Sequence, residues 1–205
     1  MQLKHSHTGQ HTRGFTLVEV LVALLVISIG LLGIAKMQAL ALSNTNGGRL
    51  RALAAIEADS LNTTMTTERN YWGTFTTAQS ITVTGANGSS TVTSTSDSTL
   101  NGTVTCTGSS TSSTSITPCT GGISCTSVAA PCTAQKMAAY DLQQWAGRLQ
   151  QVLTTDAALI TCSALTSTTN VSCQVTITWA EGQANSNASE TLTMASPTYT
   201  LFVTP

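Results

Sequence analysis

Phe15 to Ala35 reads FTLVEVLVALLVISIGLLGIA, apolar throughout, free of proline, and charged at one place, Glu19. At about 1.5 Å per residue the run spans roughly 30 Å as a helix, one hydrocarbon thickness of a bilayer. Lys4 and Arg13 precede it, which puts the N-terminus in the cytoplasm and the rest of the chain outside. A carboxylate entering a bilayer is costly unless it finds a partner. Cutting the chain between Gly14 and Phe15 would supply one, a new α-amine at Phe15. A secretory signal peptide would have a shorter apolar core and a small-residue cleavage site after it. A plain single-pass anchor explains neither Glu19 nor Gly14.

The rest of the composition narrows the function classes. Charged residues are 8% of the 205-residue chain and the formal net charge is −1, so no basic footprint supports nucleic-acid binding. His5, His7 and His11 all lie upstream of Gly14. A chain beginning at Phe15 therefore holds no histidine, which removes Ser–His and Cys–His pairs and His-based metal sites. No phosphate loop, dinucleotide fingerprint or nucleophile elbow occurs. We expect no catalytic residues, no cofactor and no metal, and a building block rather than an enzyme.

Gly14-Phe15-Thr16-Leu17-Val18-Glu19 followed by an apolar helix resembles the class III signal of type IV pilins and type II secretion pseudopilins. The resemblance implies cleavage after Gly14 by a prepilin peptidase and N-methylation of Phe15. It also implies retention of the helix as filament core, with Glu19 pairing with the Phe15 amine of a neighbouring subunit. Ile29 to Ala35 with Gln38 is similar to PilV-type minor pilins, as are the basic Arg49 and Arg51, Asp141-Leu142-x-x-Trp145, and Trp179 followed by Glu181-Gly182. That likeness implies other minor pilins and pilin subunits as partners and a place at or near the pilus tip, where assembly is initiated. The head would wait in the periplasm, anchored in the bacterial inner membrane, and become extracellular in the pilus. A pseudopilin shares the same junction, and a pilus-displayed adhesin is a further reading of the Ser/Thr-rich head.

The spacing divides the chain into a leader at 1–14, a membrane or filament-core helix at 15–36, its continuation at 37–68, and a globular head at 69–205. Leu50, Leu53, Ala54, Leu61 and Met65 recur at helical steps, with Glu57 interrupting the stripe. Asn46-Gly47-Gly48 predicts a bend or unwound turn, since two glycines cost about 2 kcal/mol of helix propensity. From Thr76 to Thr117 the chain reads as loop, apart from short strands at Ile81-Thr82-Val83 and Thr103-Val104-Thr105. A second helix is expected over about 133–153, its core stripe Ala138, Leu142, Trp145, Leu149 and Val152, with Asp141, Gln143, Gln144 and Arg148 opposite or flanking. Val171, Cys173, Val175, Ile177 and Trp179 alternate with polar residues as a strand, and Leu192-Met194 and Tyr199-Leu201-Val203 suggest two more. The order describes an α+β fold of the pilin type, a long helix packed on an antiparallel sheet with a disulfide-bonded insert.

Six cysteines, Cys106, Cys119, Cys125, Cys132, Cys162 and Cys173, lie beyond the membrane run and fit three disulfides in an oxidising compartment. Six allow fifteen connectivities. Cys162 and Cys173 flank the turn Thr166 to Asn170 and would face each other across a hairpin. Neighbour pairing, Cys106 with Cys119 and Cys125 with Cys132, is favoured for the rest. No C-x-x-C occurs, which argues against zinc.

Overall fold

The computed structural model describes residues 15–86, 88–106, 119–125, 131–153, 157–182 and 194–205. The leader with Gly14 and the three histidines, the insert stretch 107–118 and Leu192 lie outside the described residues. Two compact units emerge, one ending at Leu42 and one running from Ser43 to Pro205.

Helix α1, Leu17–Thr67, begins at a built-in start signal. The Thr16 hydroxyl accepts the Glu19 backbone N–H at 3.3 Å, and Glu19 occupies the first turn, where the helix dipole favours an anion. Up to Ile34 every large apolar side chain is exposed, and this is a helix long and apolar enough to cross a membrane. Beyond Ser43 the helix acquires a buried face of Ala54, Ala58, Leu61 and Met65, flanked by half-buried Leu50 and Leu53. Contrary to the expectation from Asn46-Gly47-Gly48, the helix does not unwind there. Packing of the stripe that follows offsets the weak glycine propensity.

Past Thr67 the chain turns through a short helix, α2 (Arg69–Trp72), into the head. Tyr71, Trp72 and Phe75 form an edge-to-face trio with ring centroids 5.3 to 5.8 Å apart, capping the end of the core.

The sheet has seven strands: β1 (Gln79–Ala86), β2 (Ser89–Ser94), β3 (Gly102–Thr105), β4 (Thr120–Gly121), β5 (Ala157–Cys162), β6 (Cys173–Thr178) and, after a small hairpin, β9 (Thr198–Val203). Their spatial order is β4-β3-β2-β1-β5-β6-β9, antiparallel at every pairing. The hairpin is β7 (Glu181–Gly182) with β8 (Met194–Ala195). Helix α3 (Ala134–Val152) starts at Thr133, whose hydroxyl accepts the Lys136 N–H. The observed architecture is thus the α+β arrangement of long helix and antiparallel sheet.

One hydrophobic cluster joins the inner face of the sheet, Ile81, Val83, Val92, Ile160, Val175 and Ile177 among it, to α1 and α3. Trp145 ties the helices together by donating its indole N–H to the Glu57 carbonyl at 2.9 Å. Two strands correct the sequence reading. Loop was expected over 89–94, where β2 lies, and β5 at 157–162 was anticipated only at its end, where Cys162 was placed in a hairpin with Cys173.

Candidate functional site

The candidate site has two parts, the N-terminal junction and the surface of the head. At the junction Phe15 precedes the first turn, and Glu19 is exposed, the sole ionisable side chain of the apolar run. Among the described residues Glu19 forms no salt bridge within its own chain.

In the head, three of the residues that carried the finer resemblance meet, Arg51, Trp179 and Glu181, while Trp145 bonds Glu57 instead. Arg51 and Glu181 form a salt bridge at 3.3 Å, with Arg51 Nε 3.4 Å from the other carboxylate oxygen. Glu181 is largely enclosed and also accepts the Trp179 indole N–H at 3.0 Å. A Cβ on Gly47 would stand 3.4 Å from the same carboxylate, so Glu181 lies against the helix at about contact distance. The β7–β8 hairpin is thereby pinned to α1 one turn after the Gly47-Gly48 pair. Arg51 is 66% exposed, so the pair contributes by position more than by energy.

Helix α3 is buried over more of its circumference than its apolar stripe predicts. Gln143, expected among the polar flanking residues, is 1% exposed. Its amide N–H groups donate to the Leu100 and Asn101 carbonyls at 3.1 and 3.2 Å, and its Oε1 accepts the Ile123 N–H at 2.7 Å. Gly102 and Gly122 leave the space it fills, because a Cβ on either would fall on the amide. One side chain thus fastens the 3-10 turn Ser98–Leu100, the start of β3 and the chain after β4 to α3. Gln143→Leu strands three backbone groups, each worth about 1–3 kcal/mol when buried and unpaired. Since solvent reaches part of that site in the variant, we expect a loss of roughly 2–4 kcal/mol. The three tryptophans, all buried in the head, make intrinsic fluorescence during urea unfolding a direct readout. An unchanged midpoint would remove the clamp role.

The three disulfides join Cys106 to Cys119, Cys125 to Cys132, and Cys162 to Cys173. Cys162 and Cys173 stand opposite each other in the β5–β6 register. Cys106 and Cys119 pack with Val104 in a small cluster over α3, with Gly147 directly beneath the bridge.

Acidic groups set the pH response. Burial, reinforced by the neighbouring Asp141 carboxyl, pushes Glu68 up to about 7, against a smaller opposing contribution from the Trp72 indole. Burial also raises Glu57, partly countered by Arg148. Asp97 resists the upward push of its own burial, because Thr99, Tyr71 and Gln135 donate hydrogen bonds that bring it down to about 2. A raised carboxyl favours the neutral folded form, so its stabilisation is full below about 4.5 and is lost as pH rises through about 7. The depressed Asp97 acts oppositely, its stabilisation present above about 3.8 and lost as pH falls toward about 2. The head should therefore be most stable between the two ordinary carboxyl values, 3.8 and 4.5, and weaken as pH rises to about 7. Glu68→Gln should flatten the upper limb of a melting-temperature profile. A wild-type profile flat from pH 5 to 8 would contradict the Glu68–Asp141 account.

The outer face of the sheet carries no charged side chain on its strands. Thr82-x-Thr84, Thr91-x-Thr93, Thr103-x-Thr105, Thr176-x-Thr178 and Thr198-x-Thr200 present their hydroxyls there. The register sets Thr91 between Thr84 and Thr103, and Thr178 beside Thr198. Ala157 and Leu159 on β5 and Phe202 on β9 interrupt the array.

No curated protein and no solved structure matches the chain. Residues 10–35 match the family described as the prokaryotic N-terminal methylation motif. That motif is the class III signal peptide of type IV pilins, and it implies processing by prepilin peptidase and assembly with pilins. The match covers 26 of the 205 residues, and it falls where a long apolar helix begins ahead of an α+β head, so what is similar to type IV pilins in sequence is this N-terminal segment.

Proposed function

We propose that the chain is a minor pilin of the type IV pilus, PilV-type. It is made as a prepilin, cut between Gly14 and Phe15, and N-methylated at Phe15. It is anchored in the bacterial inner membrane with the head in the periplasm. With other minor pilins it initiates assembly and remains at or near the tip. The observation that carries the reading is the methylation motif with Glu19 as the one charge of the apolar run, exposed and without a salt bridge in its own chain among the described residues. The meeting of Arg51, Trp179 and Glu181 supports the finer assignment, since it gives the resembling residues a shared structural task. Mass spectrometry of the mature N-terminus tests the first step, and any start other than Phe15 defeats it. A type II secretion pseudopilin shares the junction. Co-purification with secretion components instead of pilins would decide for it.

The uncharged threonine face favours a second reading, display of an adhesive surface. Lysine at Thr82, Thr93 and Thr176 together would then abolish adhesion at a normal number of pili.

A further inference from the structure

The two edges of the seven-stranded sheet differ. On one side the last strand is β4, two residues long, and Gly121 and Gly122 turn the chain out of the ladder with φ of 98° and 70°. That edge is blunted. On the other side β9 runs for six residues, all of them paired to β6, between Pro197 and Pro205. Among the described residues no backbone hydrogen bond is made from the far side of β9.

Natural edge strands are protected by lysine, proline, a bulge, an inward charge or a covering segment. The residues of β9, Thr198 to Val203, contain no charge and no proline. Its side chains are incompletely covered on both faces. Tyr199 and Leu201 point to the helix side and pack on the core, yet remain half-buried. Phe202 on the opposite face is 74% exposed. One more strand would pair the free backbone groups and cover Tyr199 and Leu201 in the same step.

We propose that the β9 edge receives an extended, uncharged segment of a different protein chain as an eighth strand. Main-chain hydrogen bonds would supply the affinity, and alternate apolar side chains seated over Tyr199 and Leu201 the specificity. Charge plays no part in recognition, because β9 and its neighbour β6 carry no charged side chain. A second copy of this chain is disfavoured by symmetry. An antiparallel β9–β9 pair needs a two-fold axis normal to the sheet, which would run the head segments of the two α1 helices in opposite directions. Subunits of one filament share a direction, so this exclusion rests on the pilin reading.

The test uses the full-length chain in cells that make filaments, with Phe202→p-benzoylphenylalanine as a photo-crosslinker. The same probe at Thr93, exposed on an interior strand of the same face, serves as control. We expect an adduct with another protein from Phe202 and none from Thr93, mapping to an uncharged stretch of alternating apolar residues. Leu201→Lys, an inward charge, should cut the adduct at least tenfold. Thr200→Lys, on an exposed position that the fold tolerates, should do the same and keeps the test valid if the first variant misfolds. The proposal is overturned by a Phe202 adduct no stronger than that from Thr93, by an adduct with a second copy, or by one that survives both lysines. Filament content is measured in the same cells by shearing. Normal incorporation without the adduct sinks the edge alone, whereas an adduct on a chain that never enters filaments sinks the pilin reading and leaves the edge.

Discussion

Glu19→Ala should leave the chain processed and held in the membrane, yet almost absent from filaments. In the proposed filament core the carboxylate faces the α-amine of Phe15 from a neighbouring subunit, in surroundings built from Val, Leu and Ile. Removing one partner of a buried pair leaves the other charge uncompensated, at a cost of about 3–5 kcal/mol. At about 1.4 kcal/mol per tenfold, that lowers incorporation by roughly a hundredfold to a few thousandfold. The variant's own burial is cheaper, since alanine enters the apolar phase without penalty, so accumulation in the membrane should not fall. Quantitative immunoblots of sheared filaments against membranes separate the two pools. Glu19→Asp, which keeps the charge on a shorter arm, should recover part of the loss. Wild-type incorporation of the alanine variant would mean that the acid does not pair.

Gly147→Ala carries the largest expected effect within the head. A methyl there would fall onto the Sγ of Cys119 and within 2.8 Å of the Sγ of Cys106. Neither sulfur can swing away, because the bridge joins them and Val104 packs beside it. Overpacking of this kind costs about 1–3 kcal/mol where the disulfide survives. Where it does not, a further 2–4 kcal/mol of chain-entropy stabilisation goes with it. A total of about 3–7 kcal/mol is a large share of the stability of one domain. Unfolding by urea, followed by tryptophan emission, together with a free-thiol count, distinguishes strain from a lost bridge. A variant with wild-type midpoint and no free thiol would show that α3 can move away from the cysteines.

How much of this was legible in the sequence depended on whether periodicity and burial agreed. The long helix, α3 and β6 were readable because their apolar residues fall at the period of the element that buries them. Strand β5 was not, because Ala157 and Leu159 on its outer face are as apolar as Ala158 and Ile160 inside, so no alternation shows. Strand β2 failed for the opposite reason, its buried positions including Ser90 and Ser94. Ser90 is tolerated inside because its hydroxyl donates to the Ala146 carbonyl at 2.7 Å, a partner on α3 that no local pattern announces. Gln143 is the same lesson on a larger scale, with partners more than 19 positions away in sequence. At Asn46-Gly47-Gly48 local propensity pointed to a break, and packing of the residues beyond it prevailed. The junction was readable at once, since an acid in an apolar run needs no tertiary structure to be noticed.

The cysteine pairs also bear on how the head would mature in the proposed export. Each cysteine is bonded to the next one in the chain, at separations of 13, 7 and 11 residues, and no bridge spans another. A chain threaded through a translocation channel from its N-terminal side delivers each thiol shortly before its own partner. The first bond that can form is then the native one, and a thiol oxidant suffices where interleaved pairs would need reshuffling. Cells lacking disulfide isomerase should therefore accumulate fully oxidised head at the normal yield, whereas cells lacking the oxidant should not.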